Sequence, residues 1–311
     1  MQLPLGFDFP DVPSGPPPTA KARPGRKPKV VSAPAQPTDI AAMAAAVAAH
    51  PDYRVQTRLQ ACLHFERQAN GPTRTVVVLD TETTGLDATQ DKIIELALLR
   101  VAVDVASGLP VGAVQVYDGL EDPGRPLSKE VREITGITDA MLHGQALDEA
   151  RIAQMMEGVD LVIAHNAGFD RPFCESRLSA FAQLPWACSF ADLDWKAEGH
   201  GSSKLEYLAL EKGWFYDAHR AEADCHALLA ILAAQLPESG GTGLARMLAA
   251  SAQTSYRLQA TQAPFEAKDV LKARGYRWNA EQKVWHTKLA DDALLEAELA
   301  WLKKAVYAGR T

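Results

Sequence analysis

Val76-Val77-Val78-Leu79 runs without a break into Asp80-Thr81-Glu82. Four apolar residues in a row, three of them β-branched, describe a strand covered on both faces, because a half-exposed strand alternates apolar with polar. Such a strand belongs inside a sheet with helices on either side. Residues two apart on a strand point the same way, so Asp80 and Glu82 share a face at its end. Two carboxylates held together repel each other unless a cation lies between them. Taken alone, Asp80-x-Glu82 stays open between a site and an ordinary acidic strand end. Gly85 allows a sharp turn just beyond.

Around this strand the pattern predicts an α/β arrangement. Ile93–Val105 and Val111–Tyr117 read as strands joined by a turn at 106–110. Asp160–Ala164 reads as another buried strand. Helices are expected over Leu147–Met156, Phe169–Phe181, Lys204–Lys212 and Arg220–Gln235. Upstream, residues 1–37 are proline-rich with a basic patch and read as a disordered tail. A helical lead-in is expected over 38–70, with Thr38-Asp39 capping an alanine-rich helix and a second helix over Arg54–Arg67. Downstream, the glycine-rich 238–243 stretch reads as a flexible break, and residues 239–253 as a linker. A small α+β unit is expected over 254–311. Its pattern gives a strand at Tyr256–Ala260 and a helix at Ala267–Arg274. A hairpin of 276–278 with 284–287 and a last helix over Asp291–Lys304 follow.

The 311 residues exceed one average domain. The four cysteines, Cys62, Cys174, Cys188 and Cys225, form no CxxC pair, which argues against a zinc ribbon or disulfide scaffold and fits a reducing compartment. No apolar run approaches the ~20 residues of a membrane span. Prolines stand where a signal peptide would carry its apolar region, so a cytoplasmic protein without membrane contact is expected. Charge is uneven. Residues 70–238 hold 13 Lys/Arg against 27 Asp/Glu, residues 1–69 hold 8 against 5, and residues 239–311 hold 11 against 7.

Two further segments carry acids. Asp170 follows the apolar strand through His165-Asn166-Ala167-Gly168-Phe169, and functional groups in α/β sheets gather at the carboxyl ends of strands. Capping of the next helix is the other reading. Asp224 stands in an apolar-periodic helix with Ala227, Leu228 and Ile231, where a bare carboxylate is costly unless paired or bound to a metal. Helical residues five apart do not share a face, so His219 reaches the surroundings of Asp224 only from the loop before the helix. A histidine held there suits general base work; a surface histidine beside a solvated acid is the alternative. Four acids without thiols or a histidine cluster point to hard, oxygen-ligated ions, Mg²⁺ or Mn²⁺ and not zinc. Two such ions about 3.5–4 Å apart suit phosphoryl displacement.

Val78-Leu79-Asp80-Thr81-Glu82-Thr83-Thr84-Gly85-Leu86, His165-Asn166-Ala167-Gly168-Phe169-Asp170 and His219-x4-Asp224 resemble the three motifs of the DEDDh 3′→5′ exonucleases. This DnaQ-like family includes the proofreading subunit of bacterial replicative DNA polymerase. Ile134-Thr135-Gly136-Ile137-Thr138 matches a family segment between the first two motifs. The resemblance covers about residues 74–236, within an exonuclease domain taken as 71–238. It implies an RNase H-like fold, a mixed central sheet flanked by helices. It also implies that Asp80, Glu82 and Asp224 hold the catalytic metal, Asp80 and Asp170 hold a second, and His219 deprotonates the attacking water. Thr83, Gly85 and Leu86 would hold the terminal nucleotide, and Asn166 and Phe169 would shape its pocket.

The implied activity is release of nucleoside monophosphates from DNA 3′ ends, single-stranded ends above all. RNA is the alternative substrate, and an interaction subunit of a polymerase or repair complex is the alternative role. In the C-terminal unit, Phe265, Tyr276, Trp278 and Trp285 interleave with Lys268, Lys272, Arg274, Arg277, Lys283 and Lys288. Stacking with phosphate contact competes with a plain aromatic core under a basic outer face, which is the reading preferred here. Lys268, Lys272, Arg274, Arg277 and Lys283 are the candidate nucleic-acid contacts. His200 and His286 read as surface residues.

Overall fold

The computed structural model describes residues 39–252, 256–279, 282–289 and 291–307. The proline-rich tail expected over 1–37 lies outside the described residues. The chain divides into two compact units, 1–53 and 54–311. In the first, α1 (Ile40–Ala48) is capped by Asp39, whose carboxylate accepts from Ala42 N at 3.0 Å.

In the second unit the helix expected over Arg54–Arg67 does not form. Two short strands stand there, β1 (Thr57–Arg58) and β2 (His64–Phe65). They are followed by β3 (Thr73–Thr83), β4 (Ile93–Asp104) and β5 (Pro110–Leu120). Next come α2 (Lys129–Thr135), α3 (Asp139–Leu142) and α4 (Glu149–Met156), then β6 (Leu161–Ala164), α5 (Ala167–Arg177) and β7 (Trp186–Cys188). The exonuclease-like part ends with α6 (Leu205–Glu211), β8 (Trp214–Phe215), α7 (Ala221–Ala233) and α8 (Gly243–Ala252). The 54–70 segment fails as a helix because its backbone groups find partners far along the chain. β1 pairs in parallel with β8, and β2 pairs with the edge of β5.

The main sheet has the order β2-β5-β4-β3-β6-β7, antiparallel from β2 to β3 and parallel from β3 to β7. It is the mixed, helix-flanked sheet of an RNase H-like α/β fold. Val76 and Val78 face one core with α6, α7 and α8, while Val77 and Leu79 face the other with α4 and α5. All four are fully buried, which accounts for the unbroken apolar run. Asp104 shapes the β4–β5 turn by accepting from Ser107 N at 2.9 Å and from Asn70 N at 2.5 Å. Ile134–Thr138 forms a helix-to-helix corner: Gly136 (φ 68) ends α2, and Thr138 caps α3.

The glycine-rich stretch is a packed turn, a correction to its reading as a flexible break. Thr242 donates to Gly108 O at 2.7 Å, and a β-carbon on Gly243 would meet Leu232 Cα at 3.0 Å. α8 then adds Leu244 and Met247 to the main core. Beyond it, β9 (Tyr256–Ala260), α9 (Lys268–Ala273), β10 (Arg277–Asn279), β11 (Val284–Leu289) and α10 (Asp292–Trp301) build a small α+β unit with the sheet order β10-β11-β9. Ala260, Ala267, Leu271, Tyr276, Leu302 and Val306 form its core. Among the described residues no helix is long and apolar enough to cross a membrane.

Candidate active site

Asp80 and Glu82 leave the last turns of β3, where the register with β4 shifts between Glu82 and Thr83. α7 faces them. Oxygen atoms of Asp80, Glu82 and Asp224 lie within 4.8 Å of one another. Asp170, in the first turn of α5 and only 2% exposed, reaches the same strand from the other side. Its Oδ1 accepts from Thr81 N (3.1 Å) and Thr81 Oγ1 (2.8 Å). Three distant segments thus deliver four carboxylates to one end of β3.

Their mutual field is strong. Burial, followed by the charges of Asp170, Asp224, Glu82 and Glu95, pushes the Asp80 carboxyl well above its ordinary range. Burial also raises Glu82 to about 8 and Asp170 to about 7, the latter despite the Thr81 hydrogen bonds. Asp224 is raised by burial, against the opposing influence of Tyr216 and His219. Cations bound among these acids would relieve their mutual repulsion. All the donors are carboxylate oxygens, the set that hard divalent ions prefer.

His219 stands in the loop before α7 with φ 63, a left-handed conformation costly for a residue with a side chain. It is exposed, and it favours the ionised form of Asp224. The adjoining Arg220 anchors the helix. Its guanidinium grips the wholly buried Glu95 at 2.7 and 3.0 Å, and Ala221 N donates to the same carboxylate at 3.0 Å. Tyr216 donates its hydroxyl to Asp224 Oδ1 at 3.0 Å.

The other anticipated residues surround the carboxylates. Thr83 Oγ1 donates to Gly85 O at 2.5 Å. A β-carbon on Gly85 would run into the Asp91 carboxylate, which itself binds Thr84 and Arg125. Leu86 stands 86% exposed. Asn166 (φ 73) begins α5, and the Phe169 ring lies 5.1 Å from that of Phe173. Thr81, Tyr216, Glu95, Arg220, Asp91 and Arg125 escape sequence reasoning, because each acts through a partner that periodicity does not reveal. Asp80-x-Glu82 was the signal nearest to Thr81.

The five expected basic contacts have different surroundings. Arg274 pairs with Glu298 at 3.1 Å and lies over Trp301 at 4.7 Å. Lys268 lies over Phe265 at 4.9 Å, Lys272 stays on α9, and Lys283 occupies a turn with φ 50. Arg277 alone of the five stands on the sheet. The expected aromatic core is also only partial. Tyr276 is buried and Trp285 packs on the small core, but Phe265 is 78% and Trp278 50% exposed. These two project because β10 and the turn before α9 lie at the rim of a core too small to cover them. His200 is not a surface residue: its imidazole is enclosed and bonds Glu211. His286 is half-buried.

The sequence model of the RNase_T family, described as Exonuclease, matches residues 77–232, half of the chain. The chain belongs to this exonuclease family. The matched span contains all four carboxylates and His219. The chain is 44% identical over 101 residues to DNA polymerase III PolC-type of Bacillus subtilis (strain 168), covering 32% of this chain and 6% of that protein. It is 36% identical over 120 residues to DNA polymerase III PolC-type of Thermotoga maritima, covering 38% of this chain and 8% of that protein. The chain therefore spans less than a tenth of these relatives. Among solved structures, exonuclease X in complex with 5′ overhanging duplex DNA is 24% identical with a TM-score of 0.39, over 55% of this chain and 99% of that one. Exonuclease I (apo) is 19% identical with a TM-score of 0.40, over 51% and 41%.

Proposed function

We propose that this protein is a divalent-metal-dependent 3′–5′ exonuclease that releases nucleoside monophosphates from DNA 3′ ends. The convergence of Asp80, Glu82 and Asp224 within 4.8 Å carries this reading, with Asp170 beside them through Thr81. Partial identity to PolC-type DNA polymerases favours DNA over RNA.

Asp80, Glu82 and Asp224 would hold one ion, and Asp80 with Asp170 a second. Bound as a pair, such ions supply acidity to the attacking water and neutralise the departing 3′ oxygen. The protein's own groups do the rest. His219 accepts the proton of the attacking water on its imidazole. Thr81 and Tyr216 orient the carboxylates of Asp170 and Asp224. The Arg220–Glu95 pair pins the start of α7, so Asp224 does not drift from β3. Gly85 and Thr83 shape a turn from which the exposed Leu86 would pack against the terminal base, with Asn166 and Phe169 contributing to its pocket.

The test is digestion of 5′-labelled single-stranded DNA, duplex DNA and RNA with Mg²⁺, with Mn²⁺ and with EDTA. DNA should shorten from its 3′ end, and EDTA should stop it. Asp80→Ala should abolish cleavage, and His219→Ala should slow it by about 10²–10⁴-fold while metal binding persists by calorimetry. Cleavage by a folded Asp80→Ala protein at the normal rate would refute the assignment. RNA shortened faster than DNA would make the protein an exoribonuclease.

A further inference from the structure

One face of the sheet β10-β11-β9 is spoken for. Leu258, Ala260 and Trp285 pack toward the small core. The other face carries Arg257, Arg277 and Lys288, with the buried Val284 at its far end. Register pairs Lys288 with Arg257, and His286 with both Arg277 and Gln259. Paired residues share a face, as do residues two apart on a strand. Arg257, Arg277, His286 and Lys288 therefore stand together opposite the core. Arg257 and Arg277 are exposed, and among the described residues neither takes part in an ion pair, unlike Arg274. The two arginines also hold His286 below the usual histidine range, after burial, as expected of crowded like charges.

Lys288 fixes where this face points. Its Nζ lies 2.8 Å from Asp192 Oδ1, and Asp192 Oδ2 accepts from Cys188 N at the end of β7. Leu79, Ala164 and Cys188 form one row across the parallel strands β3, β6 and β7. Asp80 follows Leu79 directly. Two strand spacings of about 4.8 Å separate Leu79 from Cys188, the residue that holds Asp192, by roughly 10 Å along this row. A strand whose 3′ end enters the site passes that edge within a few nucleotides. The surrounding domain repels it, with 13 Lys/Arg against 27 Asp/Glu over residues 70–238.

We infer that the face bearing Arg257 and Arg277, beside the Lys288–Asp192 anchor, is a phosphate-binding track that holds the DNA strand behind its 3′ end. This rests on the exonuclease reading. Its occupant is the phosphodiester backbone: the cations are spread along strands without an enclosing pocket, which suits a charged polymer read without regard to sequence.

The experiment uses the full chain and two 5′-fluorescein oligothymidylates, one of about 30 nucleotides and one of 2, whose single internucleotide phosphate lies in the site itself. Arg257→Glu/Arg277→Glu should lower the ratio of kcat/KM on the long strand to that on the short one by about tenfold. The salt slope of long-strand binding, read by anisotropy, should become shallower by about 0.7 per lost contact. Arg257→Lys/Arg277→Lys should restore both, since a phosphate track needs charge more than guanidinium geometry. A circular dichroism spectrum and melting point matching wild type show the fold intact, and Arg257→Gln/Arg277→Gln replaces the Glu pair if that pair fails to fold. An unchanged ratio and slope would overturn the track and leave an acidic protein surface as the occupant. An equal loss on both oligomers would overturn it too, because the defect would then lie in the site. If wild-type protein cleaves neither oligomer, the exonuclease reading fails separately, and anisotropy of the long strand still decides the track.

Discussion

Asp80 is crowded by like charge, with Asp170, Asp224, Glu82 and Glu95 acting on it after burial. A carboxyl raised in the folded state favours folding while it is protonated. Its contribution is full below the unfolded pKa and is lost as pH rises through the folded one. Glu82 defines the window, being raised from 4.5 to about 8. Metal-free wild-type protein should therefore lose stability relative to Glu82→Gln between about pH 5 and 8. Near pH 5 the two should melt together. At pH 8 the variant should be the more stable by about 1–3 kcal/mol, a few degrees of melting temperature at this size. Mn²⁺ should restore the wild type and do little for the variant. Thermal melts across this range check it, and a difference that stays constant with pH would mean that the four acids do not share a field.

At the scale of elements, the exonuclease core is closed by α8, which follows the glycine-rich turn. Leu244 and Met247 are fully buried against α7. A chain ending at Ala252 should therefore keep a complete core, whereas one ending at Gly243 loses both side chains. Each such loss costs about 2–5 kcal/mol. Denaturant melts of the two truncations should differ by several kcal/mol in favour of the longer, and equal midpoints would show that α8 is an ornament on the core. The same logic explains the Arg220–Glu95 pair. A buried carboxylate stripped of its partner is strongly destabilising, so the pair fixes α7 on β4 as well as aiming Asp224.

The whole molecule joins a large two-faced core to a small one-sided one. A core of six buried residues offers little apolar burial, and units of about 50 residues are marginal by themselves. One tie to the sheet edge is the ion pair of the exposed Lys288 with the mostly buried Asp192, and such a pair contributes about 1 kcal/mol. Unfolding should thus be biphasic. Trp278, Trp285 and Trp301 should report an early transition, and Trp186, Trp195 and Trp214 a later one. The early phase should vanish from the chain ending at Ala252. A single transition shared by all probes would show the two cores to be coupled more tightly than these contacts allow.

Local pattern carried much of this in plain view. The apolar run of β3, the acids at its end, the strand before Asp170 and the loop position of His219 were readable because periodicity and chain order are local properties. Residues 54–70 were misread because β1 and β8 meet across more than 150 positions, and helix-like spacing says nothing of a strand partner so distant. The bonds of Tyr216 to Asp224, Thr81 to Asp170 and Arg220 to Glu95 were invisible for the same reason. Among the cations the sequence treats Arg274 and Arg277 alike. Only folding neutralises Arg274 on Glu298 and leaves Arg277 exposed on a sheet face. Residue type and spacing fix what a segment can become, while free charge and oriented carboxylates depend on which distant segment arrives to meet it.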